Sequence, residues 1–344
     1  MKIVTLIGGA LGASLTVWLL ASFGFAKIIG LLEQAGWGVV LVIAFHLIQI
    51  LFSALAWREI GGPQARRLSL WRFGVMRWIR EAVNNLLPVA QVGGEFVAAR
   101  LVNRAGLGLT LSAACTLCDL TTEMVTQILF TLTGLLTLLL LLGHSPVVDE
   151  VVSGLGGACL LGAVFVAAQW FGLADLLERG LGWAARQFGW QGTQGISGLN
   201  DVVMRLYRSP RGLSLALFNQ SVSWGLGAVE VCLALHVLGH DVGLGAGLVI
   251  ESLAQAVKSV SFAVPAALGV SEGGFVVLGS LFGLPPDVSI ALALIKRLRE
   301  IVLGLPALVV WQWFEHMRPR GDKAAEGGTV GGNASASERR RVLL

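Results

Sequence analysis

Charge is what this sequence has least of. Only 13% of its 344 residues are charged, against about a quarter in an ordinary soluble domain. A chain so poor in charge, 55% hydrophobic and with a mean hydropathy of +0.76, is excluded from the soluble globular class and is expected to be a polytopic membrane protein. Cysteine is also scarce. Cys115, Cys118, Cys159 and Cys232 all sit in apolar runs, which argues against a disulfide framework. Cys115-x-x-Cys118 reads as small packing residues rather than a redox or metal pair. There are five histidines, and none lies near the paired acids in sequence. A nucleophile elbow, Walker loop, zinc spacing and dinucleotide fingerprint are all missing. No enzyme activity, cofactor or metal is therefore expected. What is abundant fits lipid. Gly (45) and Trp (11) are frequent, the first allowing close helix approach and the second favouring membrane interfaces.

Apolar runs near 20 residues are long enough to cross a bilayer. They occur at 3–23, 37–57, 151–171 and 212–238, with longer runs at 107–142 and 287–315. Two further stretches, about 70–104 and 243–284, are broken by Pro, Gly and charge. Basic residues set the orientation. Arg58, Arg66, Arg67, Arg72, Arg77 and Arg80 follow the second span, Arg179, Arg186, Arg205, Arg208 and Arg211 follow the 151–171 span, and Arg318, Arg320 and Lys323 follow the last. The opposite connections hold only Lys27. This asymmetry places both termini in the cytoplasm of a bacterial inner membrane. It also accounts for the net charge of +4 without a nucleic-acid partner.

Part of the chain occurs twice. Residues 80–125 shifted by 177 positions fall on 257–302. Pro88 then matches Pro265, Glu95 matches Glu272, Gly106-Leu107 matches Gly283-Leu284, and Glu123 matches Glu300. With the loop charges, the first copy enters from the cytoplasm and the second from the opposite side. The expected fold is all-α, with about six full spans and two re-entrant hairpins in an inverted repeat. The expected domain is 1–316, with units 37–142 and 212–315 joined by the span 151–171 and a cytoplasmic segment 172–211. A disordered cytoplasmic tail is expected over 317–344. Pro88, Gly93 and Gly94 would break the first hairpin, and Pro265, Gly269 and Gly273 the second. Freed backbone groups at that depth must be buried or line a wet cavity.

Ionisable residues inside spans are costly and face an interior. Here they gather in the repeats. The candidate substrate-binding or gating residues are Arg80, Glu81, Asn84, Asn85, Glu95, Asp119 and Glu123 in the first copy. In the second they are Lys258, Glu272, Lys296, Arg297, Arg299 and Glu300. Helical spacing puts Asp119, Glu123 and Gln127 on one face, Glu251, Gln255 and Lys258 on another, and Lys296 with Glu300 on a third. Glu81 matches Lys258 and Asp119 matches Lys296, so acids of one half are expected to face bases of the other. Two readings stand together: ion pairs that hold broken helices, and a polar cavity for a headgroup. Arg80, Lys258, Arg297 and Arg299 suit an anionic headgroup. His46, Gln49, Asn219, Gln220 and Glu230 are expected to make interhelical hydrogen bonds.

The block from Arg77 to Glu95, and Pro265 to Gly274 followed by Lys296-Arg297-Leu298-Arg299-Glu300, resemble the transmembrane region of lysylphosphatidylglycerol synthase-type proteins. More narrowly they resemble its hopanoid-biosynthesis-associated branch. The resemblance covers about 1–316. It implies an inner-membrane flippase-like protein that handles a membrane lipid, a hopanoid or a phospholipid-like intermediate. Partnership with lipid-biosynthesis enzymes is also implied. Those synthases carry a soluble aminoacyl-transfer domain that this sequence does not show, so synthase activity is not expected. A scaffold for hopanoid enzymes and a lipid-modifying enzyme are the rival readings.

Overall fold

The computed structural model describes residues 35–87, 93–168, 198–260 and 269–316, together with Gly30 and Glu33. The expected span 3–23, the breaks at Pro88 and Pro265, the segment 172–197 and the tail from 317 fall outside the described residues.

The described regular structure is entirely helical. α1 spans Trp37–Ile60, α2 Gly62–Arg66, α3 Leu70–Leu86 and α4 Gly93–Val102. A π-helical turn, Asn103–Leu107, leads to α5, Leu109–Leu142, and then α6, Pro146–Ala168. α7 is Leu199–Tyr207, α8 Pro210–Val237, α9 Leu244–Val260, α10 Val270–Leu281 and α11 Pro286–His316. Long apolar runs become long helices because the intrahelical ladder satisfies every interior backbone group. Proline opens α8, where its missing N–H costs nothing, and the Ser69 side chain caps α3 by accepting from the Arg72 N–H.

α1 and α5 are long and apolar enough to cross a membrane, with mean hydropathies of 2.5 and 2.2 over their most apolar windows. Leu129, Leu132, Leu136 and Leu140 of α5 form an exposed stripe at helical spacing. A face of that kind matches hydrocarbon and is costly in water. The chain is a helical membrane protein.

Two apolar clusters lie at opposite ends of the long helices. One takes Val39, Val42 and Ile43 from the start of α1, Leu135 and Leu138 from the end of α5, Val231–Leu238 at the end of α8, and Val288–Ile295 from α11. The other takes Ala54–Ile60 from the end of α1, Ala114–Cys118 from α5, Ala216 from the start of α8 and Ala307 from α11. α1 and α8 therefore run antiparallel. Between the clusters each of these helices carries its polar residues: His46, Gln49 and Ser53 on α1, Asp119–Thr126 on α5, Gln220 and Ser223 on α8, Lys296 and Arg299 on α11. A charged layer thus sits between the two apolar clusters.

The spacing of 177 recurs in the backbone. It separates the ends of α1 and α8, the starts of α4 and α10, and the starts of α5 and α11. It also separates two pairs of glycines in left-handed conformation, Gly62 (φ 69°) from Gly239 (φ 81°) and Gly106 (φ 106°) from Gly283 (φ 73°). Side chains rarely adopt these angles, so the matched Gly-Leu dipeptides mark one chain reversal used twice. Packing follows the same rule. α1 packs along its counterpart α8, while α3 packs on α11 and α5 on α9 in reciprocal fashion.

Candidate functional site

The charged layer resolves into three linked clusters. The first is built on Arg80 of α3, which is 2% exposed. Its Nε donates to Glu95 Oε1 of α4 at 2.9 Å, its Nη2 donates to Glu123 Oε2 of α5 at 3.1 Å, and its Nη1 meets Asp119. Arg77, one turn earlier, donates to both Glu123 oxygens at 3.0 and 2.7 Å. A planar fork with five donors is what lets one cation reach three carboxylates. Asn84 completes the cluster. Its Nδ2 donates to Glu95 at 3.2 Å and its Oδ1 accepts from the Gly94 N–H at 2.8 Å.

These contacts join residues ten and fifteen apart in sequence. A continuous helix would separate Arg80 from Glu95 by about 22 Å, so α3 and α4 fold back on each other. Gly93 and Gly94 are not the turn the sequence suggested. They lie in the first turn of α4, and Gly273 likewise lies inside α10. Of these four glycines only Gly269, at φ 76°, precedes its helix in a left-handed conformation. Gly94 is there for proximity: an added Cβ would stand 2.5 Å from the Arg80 carbonyl oxygen and 2.6 Å from Asn84 Oδ1. Gly94→Ala should destabilise the protein by about 1–3 kcal/mol. Gly74→Ala, where an added Cβ meets nothing within 4 Å, should be neutral or stabilising by up to about 1 kcal/mol. Melting curves in detergent read both; equal melting points would remove the close approach as an explanation.

The second cluster sits on the α1–α8 seam. Glu230 of α8 is fully buried. It is met by Arg299 of α11 and Gln49 of α1, with His46 Nδ1 at 3.0 Å and Lys296 Nζ at 3.7 Å. His46 Nε2 lies 2.7 Å from Glu81 of α3. Lys296 Nζ donates to Glu251 of α9 at 2.6 Å, and Gln255 donates to the other oxygen at 2.8 Å. The third cluster joins Lys258, whose Nζ donates to Glu300 at 2.7 Å and across the units to Asn85 at 3.2 Å. Arg297 donates to Glu300 at 3.1 Å and to Glu272 at 3.2 Å. Glu272 also accepts from the Gly269 N–H at 2.7 Å, an acid at the positive end of α10.

Several expectations change. Asp119 does not face Lys296, nor Glu81 Lys258; Asp119 pairs with Arg77 and Arg80, Glu81 with His46, and both lysines with acids of the second unit. Lys296 and Glu300 share a helix but take different partners. Arg77 and Arg80, counted as loop charges, are interior residues. Asn219 bonds the Leu215 carbonyl of its own helix rather than a neighbour. The residues that sequence reasoning left out of the site are Arg77, His46, Gln49, Glu230 and Glu251; Glu230 and His46 carried the usable signal, an acid and a histidine inside spans.

A cavity of about 250 Å³ lies in this layer. α1, α3, α4 and α5 line it from one unit, and α8, α9 and α11 from the other. Its charged lining is balanced, with Arg77, Arg80, Lys258 and Arg299 against Glu81, Glu95, Glu123 and Glu251. Each of these has a partner within the protein. The anion-binding role suggested for Arg80, Lys258, Arg297 and Arg299 meets cations whose carboxylates are already in place. Uncharged groups remain: Asn84, Asn85, Gln127, Gln255 and Ser259 reach the cavity, and Gln220, 2% exposed, has an Oε1 with no hydrogen-bond partner among the described residues.

Apolar helices around a paired, charged interior with a partly open polar cavity define an integral membrane protein with a site between its helices. The chain belongs to the family described as the lysylphosphatidylglycerol synthase TM region, which it matches over residues 5–307. No curated protein and no solved structure matches it.

Proposed function

We propose that the chain is a bacterial inner-membrane lipid translocator built as an inverted repeat. It has about six spans, two re-entrant hairpins and both termini in the cytoplasm. The recurrence of helix ends and left-handed glycines at 177 residues supports the repeat, and the reciprocal packing of α3 on α11 and α5 on α9 supports its symmetry. The observation that carries the function is the cavity itself: polar, between the helices, and lined by both units. The headgroup of a lipid would occupy it while the tail stays in hydrocarbon, and rocking of one unit against the other would open it to alternate leaflets.

The balanced lining narrows the cargo. An anionic headgroup would have to displace carboxylates from buried guanidinium groups, leaving charges unpaired at several kcal/mol each. A headgroup rich in hydroxyls can exchange hydrogen bonds with the lining amides and hydroxyls without leaving a charge unpaired. A lipid with an uncharged, hydrogen-bonding headgroup, the hopanoid class included, is the better fit.

The test is a leaflet-resolved assay with purified full-length protein in vesicles holding a labelled polyol-headed hopanoid or labelled phosphatidylglycerol. The polyol lipid should cross faster. Ser259→Trp, which fills the cavity from an exposed lining position, should slow it about tenfold, or about 1.4 kcal/mol in the barrier. Movement of neither lipid would point to a scaffold, and recovery of a chemically altered lipid to an enzyme. Faster movement of phosphatidylglycerol would sink the cargo assignment.

A further inference from the structure

His46 is held between two carboxylates. Its Nε2 is 2.7 Å from Glu81 Oε1 and its Nδ1 is 3.0 Å from Glu230 Oε2. Ionised carboxylates only accept, and a neutral imidazole has a single N–H. Two hydrogen bonds in this arrangement therefore need two protons among the three groups. Either the ring is imidazolium, or one carboxyl carries the proton and donates it to the ring. Both descriptions contain one proton more than a neutral histidine with two carboxylates.

The surroundings fix what that proton does. Glu230 has other partners, with Arg299 and Gln49 in contact and Lys296 at 3.7 Å. Glu81 has none but His46 among the described residues. Facing the trio are Arg77 on α3, Glu123 on α5, Glu251 on α9, and Lys296, Arg299 and Glu300 on α11. These are themselves joined in pairs and stay so whichever state His46 is in. When the extra proton leaves, one of the two contacts places a lone pair against a carboxylate oxygen. Glu230 is anchored elsewhere, so Glu81 is the side that lets go, releasing α3 from the α1–α8 seam while Arg77 and Arg80 still tie it to α5.

The location supplies two routes. His46, Glu81, Asn85 and Arg299 line the large cavity and also a second, small one that Trp78, Leu303 and Gly304 line from the other face. His46 and Glu81 form part of the wall between them, with Glu230 behind His46.

We propose that His46, Glu81 and Glu230 form a proton-binding site, in which a single proton fastens α3 to the α1–α8 seam and its exchange between the two cavities couples α3 movement to proton flow. Loading adds a water-borne proton to Glu81 or to the ring nitrogen facing it, and unloading returns it to water. Only O–H and N–H bonds are made and broken. That the movement drives a lipid across rests on the translocator reading; the proton site itself does not.

The experiment places spin labels on cysteines at Trp71 of α3 and Phe218 of α8, both exposed, in full-length protein whose four free cysteines are replaced by alanine. Pulsed dipolar distances in lipid nanodiscs are compared at about pH 5 and about pH 9, either side of ordinary imidazole titration. The distance distribution should shift between the two. His46→Leu should abolish the shift. Glu81→Gln, whose amide N–H can donate to the ring without any extra proton, should keep the acid-side distance at both pH values. A pH-independent distance in the parent, or a shift that survives in either variant, overturns the proposal. A His46-dependent shift stands even when the vesicle assay shows no lipid movement. A lipid-moving protein whose α3 ignores pH sinks only the proton site.

Discussion

Arg80→Leu is expected to lower stability by about 3–5 kcal/mol, the loss typical when one partner of a buried ion pair is removed. The melting point in detergent should fall by on the order of 10 °C. Arg77 and Arg80 together meet Glu95, Asp119 and Glu123, so the cluster already has one more acid than base. Without Arg80 the Arg77 guanidinium is left to Asp119 and Glu123, and Glu95 loses the one cation it meets among the described residues. Apolar replacement cannot compensate, because the carboxylates stay buried with their desolvation cost unmet. Arg80→Lys should recover a minor part, since a point charge cannot address three acids on two helices. Arg77→Leu should cost less, because Arg80 still reaches both acids of α5. The ordering Arg80→Leu below Arg80→Lys below the parent is the test. A variant within about 0.5 kcal/mol of the parent, the range of an ordinary surface change, would show that the cluster does not hold α3, α4 and α5 together.

The long helices were legible because an apolar run in lipid has one economical conformation. The runs at 37–57, 107–142 and 287–315 became Trp37–Ile60, Leu109–Leu142 and Pro286–His316. The matched acids were legible too: Glu95 and Glu272 are each the third residue of a short helix folded back on its predecessor. The partners of those acids were not. Glu95 takes its cation from α3 through Arg80, whereas Glu272 takes Arg297 from α11. Shifted by 177, Arg80 falls on Val257 and Arg297 on Leu120. The two stretches share helix ends and acids but draw their cations from different neighbouring helices, which long flexible side chains permit. An alignment pairs backbone positions, so it set Asp119 against Lys296; the ion pair is decided by reach. Counting Arg77 and Arg80 as loop charges failed for a related reason. Their spacing with Asn84 puts them on the interior face of an amphipathic helix, and charge counting ignores faces.

Glu230→Leu should cost about 3–5 kcal/mol for the same physical reason, and its reversal is the sharper experiment. Glu230 is the acid on the α1–α8 seam, and its loss leaves Arg299 with no carboxylate in contact among the described residues. Lys296 keeps Glu251 at 2.6 Å and is little affected. The unpaired guanidinium, 6% exposed, is the largest part of the penalty, and Gln49 and His46 each lose a hydrogen bond besides. Removing it as well should restore much of the stability, because well-packed apolar groups replace a buried pair at little or no cost. Glu230→Leu/Arg299→Leu is therefore expected to melt closer to the parent than Glu230→Leu does, with a coupling energy of about 1–3 kcal/mol in the double-mutant cycle. The Arg80 cluster should show no such rescue with any one acid, since Arg80 meets three. Additive losses at Glu230 and Arg299 would mean that the pair is solvated in the membrane and that the charged layer is wetter than its burial indicates. A rescued double variant that has also lost pH-dependent movement of α3 would separate the two tasks of the seam: Arg299 neutralises Glu230, and His46 ties it to Glu81.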